Sequence, residues 1–129
     1  MIWTAWIGTG SLLAALGVGL GAFGAHGLKS RLTPDMLAIF DTAVRWHMYH
    51  ALALIAVGMV ATRIESFPLK IAGFAFVLGT ILFSGSLYVL TLTGNRSLGI
   101  ITPIGGVFLI AGWLAMAYSV LGVISKPGV

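Results

Sequence analysis

The sequence predicts an all-α membrane protein, a bundle of four transmembrane helices joined by short connections. Three observations predict it. The chain has 129 residues, of which 59% are hydrophobic and 8% charged, where an ordinary soluble domain carries about 25% charge. Its mean hydropathy is +1.08, and a soluble domain of this size leaves too much surface in water to hide so many apolar side chains. Four apolar runs are separated by the main polar clusters, and each is long enough for the roughly 20 helical residues that cross the hydrocarbon core. The length suits a single domain. Seven bases against three acids give a formal net charge of +4. That is too sparse for a nucleic-acid-binding face and suits loop bases near anionic headgroups. With no cysteine, disulfides, thiolate metal sites and a cysteine-attached haem are excluded.

The first span is read over residues 3–25. Trp3 and Trp6 suit the aromatic belt at the membrane surface, and with no basic segment before them a cleaved signal peptide is not favoured. Gly17, Gly21 and Ala25 recur at every fourth position, a face that lets a neighbouring helix come close. Gly19-Leu20-Gly21-Ala22-Phe23-Gly24 matches a dinucleotide-binding glycine pattern. Here no strand precedes it and no acid follows about twenty residues on, so helix packing is the reading.

His26 to Thr33 is the longest polar break. Thr33-Pro34-Asp35 then reads as an N-cap, a proline at the first helical position and an acid in the first turn. Met36, Leu37, Phe40 and Val44 keep helical spacing from there. This segment is either an amphipathic helix in the interface or the start of one long helix running into the second span, drawn over residues 45–62. Arg63, Glu65, Pro68 and Lys70 make the next turn, with Pro68 suited to a helix start. The third span, residues 69–92, carries Ser84, Ser86, Tyr88, Thr91 and Thr93 among its aliphatics, and interhelical packing is the default role for such groups. Thr93 to Ser97 is a loop by composition, and Thr102-Pro103 is expected to cap the fourth span, residues 103–124. Gly105 and Gly106 give that span its own close-packing face, and the bundle is expected to pack round the glycine faces of the first and fourth spans. Lys126, Pro127 and Gly128 follow. Both termini fall on one side of the membrane. The bases divide three (Arg63, Lys70, Lys126) against four (Lys29, Arg31, Arg45, Arg96), so the positive-inside rule does not orient the chain.

The candidate functional groups concentrate between Phe40 and His50. At 100° per residue, Asp41, Arg45 and Tyr49 form one stripe and His47 with His50 a second. Asp41 and Arg45 are spaced for an ion pair, and both are expected near the membrane boundary. Ionisable groups at membrane depth mark functional sites, so His26, Asp41, Arg45, His47, Tyr49 and His50 form the candidate polar cluster. His47 and His50, three residues apart, could share a metal, with His26 as a third ligand. A haem would need ligands on opposite sides of the iron, so His26 could pair with one of them at most. The bland alternative is histidines at the interface, bonded to headgroups, backbone or other spans. The expectation is that no metal or cofactor is held.

Four blocks in order are recognisable. Residues Gly21 to Leu28, Ala43 to Leu54, Phe83 to Tyr88 and Ile101 to Gly106 resemble the bacterial domain-of-unknown-function family 423, typified by the YgdD and YwdK inner-membrane proteins and related to eukaryotic transmembrane protein 256. Trp46 stands where a tyrosine is common in that family. The resemblance covers nearly the whole chain and implies a multi-pass inner-membrane protein, with no established reaction, substrate or cofactor. No residue set has the spacing of a catalytic machinery. The expected function is therefore a non-enzymatic accessory or assembly subunit. Its partners would be membrane lipids and other membrane subunits or further copies of itself, with no nucleic acid. A small-solute transporter or channel using the polar cluster is the alternative, and a haem- or metal-binding protein the second.

Overall fold

The computed structural model describes residues 1–126; Pro127 and Gly128 lie outside the described residues. Four helices account for nearly all of it: α1 (Ile2–His26), α2 (Pro34–Ala61), α3 (Phe67–Thr93) and α4 (Ile101–Ile124). Each is long and apolar enough to cross a membrane. The chain is thus an all-helical, four-span integral membrane protein.

Residues 34–61 form one helix. Thr33 Oγ1 accepts from the Met36 amide at 3.2 Å, and Pro34 occupies the first turn. Nothing then interrupts the helical run. The helix that carries the second span therefore starts at Pro34, and its 28 residues extend about 42 Å, longer than the hydrocarbon core requires. Ser66 caps α3 by accepting from the Leu69 amide. Gly94 ends α3 in the left-handed conformation, φ 73°, where a side chain would be strained. A 3-10 helix, Arg96–Ile100, leads straight into α4. Thr102 is accordingly not the cap of α4. The preceding turn already supplies the helix entry, and the Thr102 hydroxyl bonds Ser86 Oγ at 2.6 Å.

α1 packs along α2, α4 along α3, and α2 faces α3 at the centre. The glycine faces of α1 and α4 consequently do not meet each other. Each serves its own neighbour. A Cβ on Gly10 would lie 2.7 Å from Ile55, on Gly17 2.5 Å from Met48 and on Gly24 2.8 Å from the Phe40 ring. Ala25, expected on this face, is exposed, and Gly24 holds the close approach instead. Gly105 presses on the backbone of Leu82 and Phe83, whereas Gly106 has room, with Phe83 3.8 Å from its would-be Cβ. The apolar core collects Trp6, Leu54, Val57, Leu69, Phe76 and Leu109, mostly from the two central helices.

Candidate functional site

His47 lies midway along α2 and is 3% exposed. Its Nε2 is 2.7 Å from the Leu13 carbonyl of α1, and its Nδ1 is 2.8 Å from Tyr88 Oη of α3. A carbonyl only accepts, so Nε2 carries the proton; in the neutral ring Nδ1 then accepts from the tyrosine hydroxyl. Gly17 lets α1 come this close to α2, because a Cβ there would press on the Met48 side chain beside the imidazole. One side chain thereby ties three helices together.

His50, also 3% exposed, turns to a different neighbour. Its Nδ1 is 2.7 Å from the Trp46 carbonyl one turn back, and the Trp113 indole N–H of α4 donates to its Nε2 at 3.1 Å. Trp46 stacks on the ring at 5.9 Å, and Phe76 and Trp113 close the other sides. The two histidines thus sit inside the bundle, about halfway along the helix and away from the interface where the sequence reading put them. Neither ring nitrogen pair has a free lone pair for a metal. His26 lies exposed at the end of α1, about 20 Å along the axis from Leu13, so the three histidines do not converge. Among the described residues, no group of three His, Asp or Glu could hold a metal ion.

Asp41, Arg45 and Tyr49 do form one stripe, but on the outside. Arg45 Nη2 and Nε donate to Asp41 Oδ2 at 2.6 and 2.9 Å, with the side chains 63% and 58% exposed. Tyr49 is 54% exposed and packs edge-on to Trp46. A second ion pair, Arg96 to Asp35 at 2.8 Å, ties the 3-10 helix to the start of α2. The six predicted cluster residues therefore split into an inner pair, an outer stripe and an isolated His26.

Partners of the inner pair went unnoticed in sequence. Tyr88 carried a signal, as a phenol in an apolar span. Trp113 carried none, since a tryptophan in a transmembrane run reads as packing. Ser84 Oγ, which donates to the Ala43 carbonyl at 2.7 Å, belongs to the same set of interhelical bonds.

The comparisons with known proteins bear on this geometry. A family model described as "Protein of unknown function (DUF423)" matches residues 20–106, the part of the chain that contains His47, His50, Tyr88 and the first turns of α4. The chain belongs to this family. It is 46% identical over 110 residues to the UPF0382 membrane protein SH2409 of Staphylococcus haemolyticus, covering 85% of this chain and 89% of that one. It is 45% identical over 106 residues to the UPF0382 membrane protein YwdK of Bacillus subtilis, covering 81% and 86%. A UPF0382 membrane protein of Haemophilus influenzae is 40% identical over 101 residues, covering 78% and 81%. These names record a membrane location in bacteria and no activity. No solved structure matches the chain.

Proposed function

We propose that the protein is a non-enzymatic assembly component of the bacterial membrane that associates through α1, in the first instance with further copies of itself. The outward face of α1 supports the reading. Ala5, Gly8, Ser11, Ala15, Gly19 and Ala22 are all exposed, and a Cβ on Gly8 or Gly19 would meet nothing within 4 Å. The exposed side chains of α4 include Val107, Ile110, Leu114 and Leu121, the large residues that lipid tails accommodate. Helices in lipid associate through close van der Waals contact and interhelical hydrogen bonds, without a hydrophobic drive, and small residues permit the approach. A face mostly of small residues gains more from another helix than from lipid, even with Leu12 within it and Leu16 and Val18 at its edges.

The transporter alternative requires Asp41, Arg45 and Tyr49 to line an interior path. They face outward, and the two inner histidines are bonded out, so assembly is preferred. The test is the molar mass of the protein in mild detergent and in lipid nanodiscs, by light scattering, for wild type and Gly19→Leu. The expected result is an oligomer that the substitution reduces to monomer with unchanged helicity. A monomeric wild type in both media would refute self-association, and a heteromeric complex from native membranes would transfer the role to another subunit.

A further inference from the structure

Between the end of α1 and the first half of α2 runs a groove of about 310 Å³. Its floor is apolar, formed by Gly21, Gly24, Phe40 and Val44, and its polar lining comes from Lys29 and Asp41. Gly24 meets Phe40, so Asp41 stands about one turn inside the end of α1, at the depth where lipid headgroups give way to acyl chains. The charges there are only partly matched. Arg45 directs both its bonds to Asp41 Oδ2, and among the described residues Oδ1 accepts no hydrogen bond and Lys29 pairs with no carboxylate.

We infer that this groove binds a phospholipid whose headgroup carries both a phosphate and a primary ammonium, that is, phosphatidylethanolamine. Lys29 takes the phosphate, Asp41 Oδ1 accepts from the ammonium, and the glycerol with its first methylenes lies on the glycine floor. Charge complementarity selects the occupant. A headgroup with only negative charge satisfies Lys29 but offers the open Asp41 Oδ1 no charged N–H donor. A choline headgroup has the positive charge but no N–H to donate, and charge-assisted hydrogen bonds are the stronger ones. The site is independent of the α1 face invoked for self-association, which points away from α2.

Native mass spectrometry of the full chain in detergent, titrated with phosphatidylethanolamine, phosphatidylcholine and phosphatidylglycerol of identical acyl chains, tests the assignment. The expected result is binding of the ethanolamine lipid roughly tenfold tighter than of the choline lipid, about 1.4 kcal/mol. Asp41→Asn abolishes that preference, and Lys29→Gln weakens both lipids. Asp35→Asn, whose carboxylate pairs with Arg96 outside the groove, changes nothing. Ala25 is exposed and lines the groove, so Ala25→Phe fills it without touching a charge and lowers binding of all three lipids. Equal affinity of wild type for the ethanolamine and choline lipids would overturn the ammonium contact. Tighter binding of phosphatidylglycerol would overturn the zwitterionic ligand, and unchanged binding by Ala25→Phe would overturn the location.

Discussion

Removing the Tyr88 hydroxyl deletes one defined bond between α2 and α3, and the structure sets its size. Tyr88→Phe keeps the ring, including its contact with Phe40 at 5.2 Å, and leaves His47 Nδ1 without its partner at a position 3% exposed. Interhelical hydrogen bonds in membranes average about 0.6 kcal/mol and reach about 1.7. A bond of 2.8 Å at a buried imidazole belongs in the upper half of that range, so Tyr88→Phe should cost about 1–2 kcal/mol, allowing for the unpaired acceptor. His47→Ala removes both bonds and a buried ring, and should cost about 3 kcal/mol. Once His47 is alanine the tyrosine hydroxyl has lost its acceptor, so the double variant should be less destabilised than additivity demands, by about 1 kcal/mol. The assay is unfolding in mixed micelles of rising dodecyl sulfate content, followed by tryptophan fluorescence and circular dichroism. Tyr49→Phe is the control, since that tyrosine is exposed. Additivity of the His47 and Tyr88 substitutions within about 0.3 kcal/mol would refute the bond as a stabilising element.

Further outcomes follow from the same geometry. Gly105→Ala drives a methyl into the backbone of Phe83 and should destabilise by about 1–3 kcal/mol, while Gly106→Ala should be neutral or slightly stabilising by helix propensity; thermal unfolding in detergent compares them. Trp113→Phe keeps the aromatic contact with Phe76 at 4.9 Å but loses the N–H to His50, and should cost about 0.6–1.7 kcal/mol in the same assay. Thr80 Oγ1 is buried without a partner, so Thr80→Val should leave stability unchanged or raise it, and a clear loss of thermal stability would show that the hydroxyl is bonded after all. Arg45→Ala leaves the Asp41 carboxylate without its counter-ion on the outer face of a spanning helix, so the cycle with Asp41→Asn should be non-additive; additivity would place the pair in water.

Elements whose signal is local were legible in the sequence. The four spans, the Thr33 cap and the Asp41–Arg45 pair depend on composition, on turn chemistry and on spacing along one helix, all of which a single chain displays. The depth of His47 was not legible, because it depends on how far α2 extends before the membrane, and a proline-capped amphipathic start fits both a surface helix and a long span. The identity of the helix that each glycine face meets was equally hidden. Gly17 and Gly21 announce a close approach, but only the tertiary arrangement assigns them to α2 and assigns Gly105 to α3. The divergence of His47 and His50 was missed for a further reason. Three residues apart puts them on one side of α2, about 60° apart round the axis, and with three other helices packed nearby that separation is enough to send them to different partners.

The bundle separates its polar groups by location, and that separation has an observable consequence. Thr80 aside, the buried side-chain nitrogen and oxygen atoms among the described residues have hydrogen-bond partners, many of them on another span: His47 with α1 and α3, His50 with α4, Ser84 with α2, Ser86 with α4. Unpaired polar groups in hydrocarbon cost several kcal/mol, so these bonds are structural ties holding one arrangement of the four helices. The charged side chains lie instead on the outside, most of them in the connections or end turns, with Asp41 and Arg45 further along α2. Inner variants such as Tyr88→Phe should therefore lower resistance to unfolding while the folded material keeps its molar mass and its lipid adducts. Outer variants such as Gly19→Leu or Lys29→Gln should change mass or lipid binding while unfolding stays put. Measuring both quantities on both sets decides the matter. An inner variant that altered lipid adducts or mass at full stability would mean that the histidine stations communicate with the surface, and the division into structural interior and functional exterior would fail.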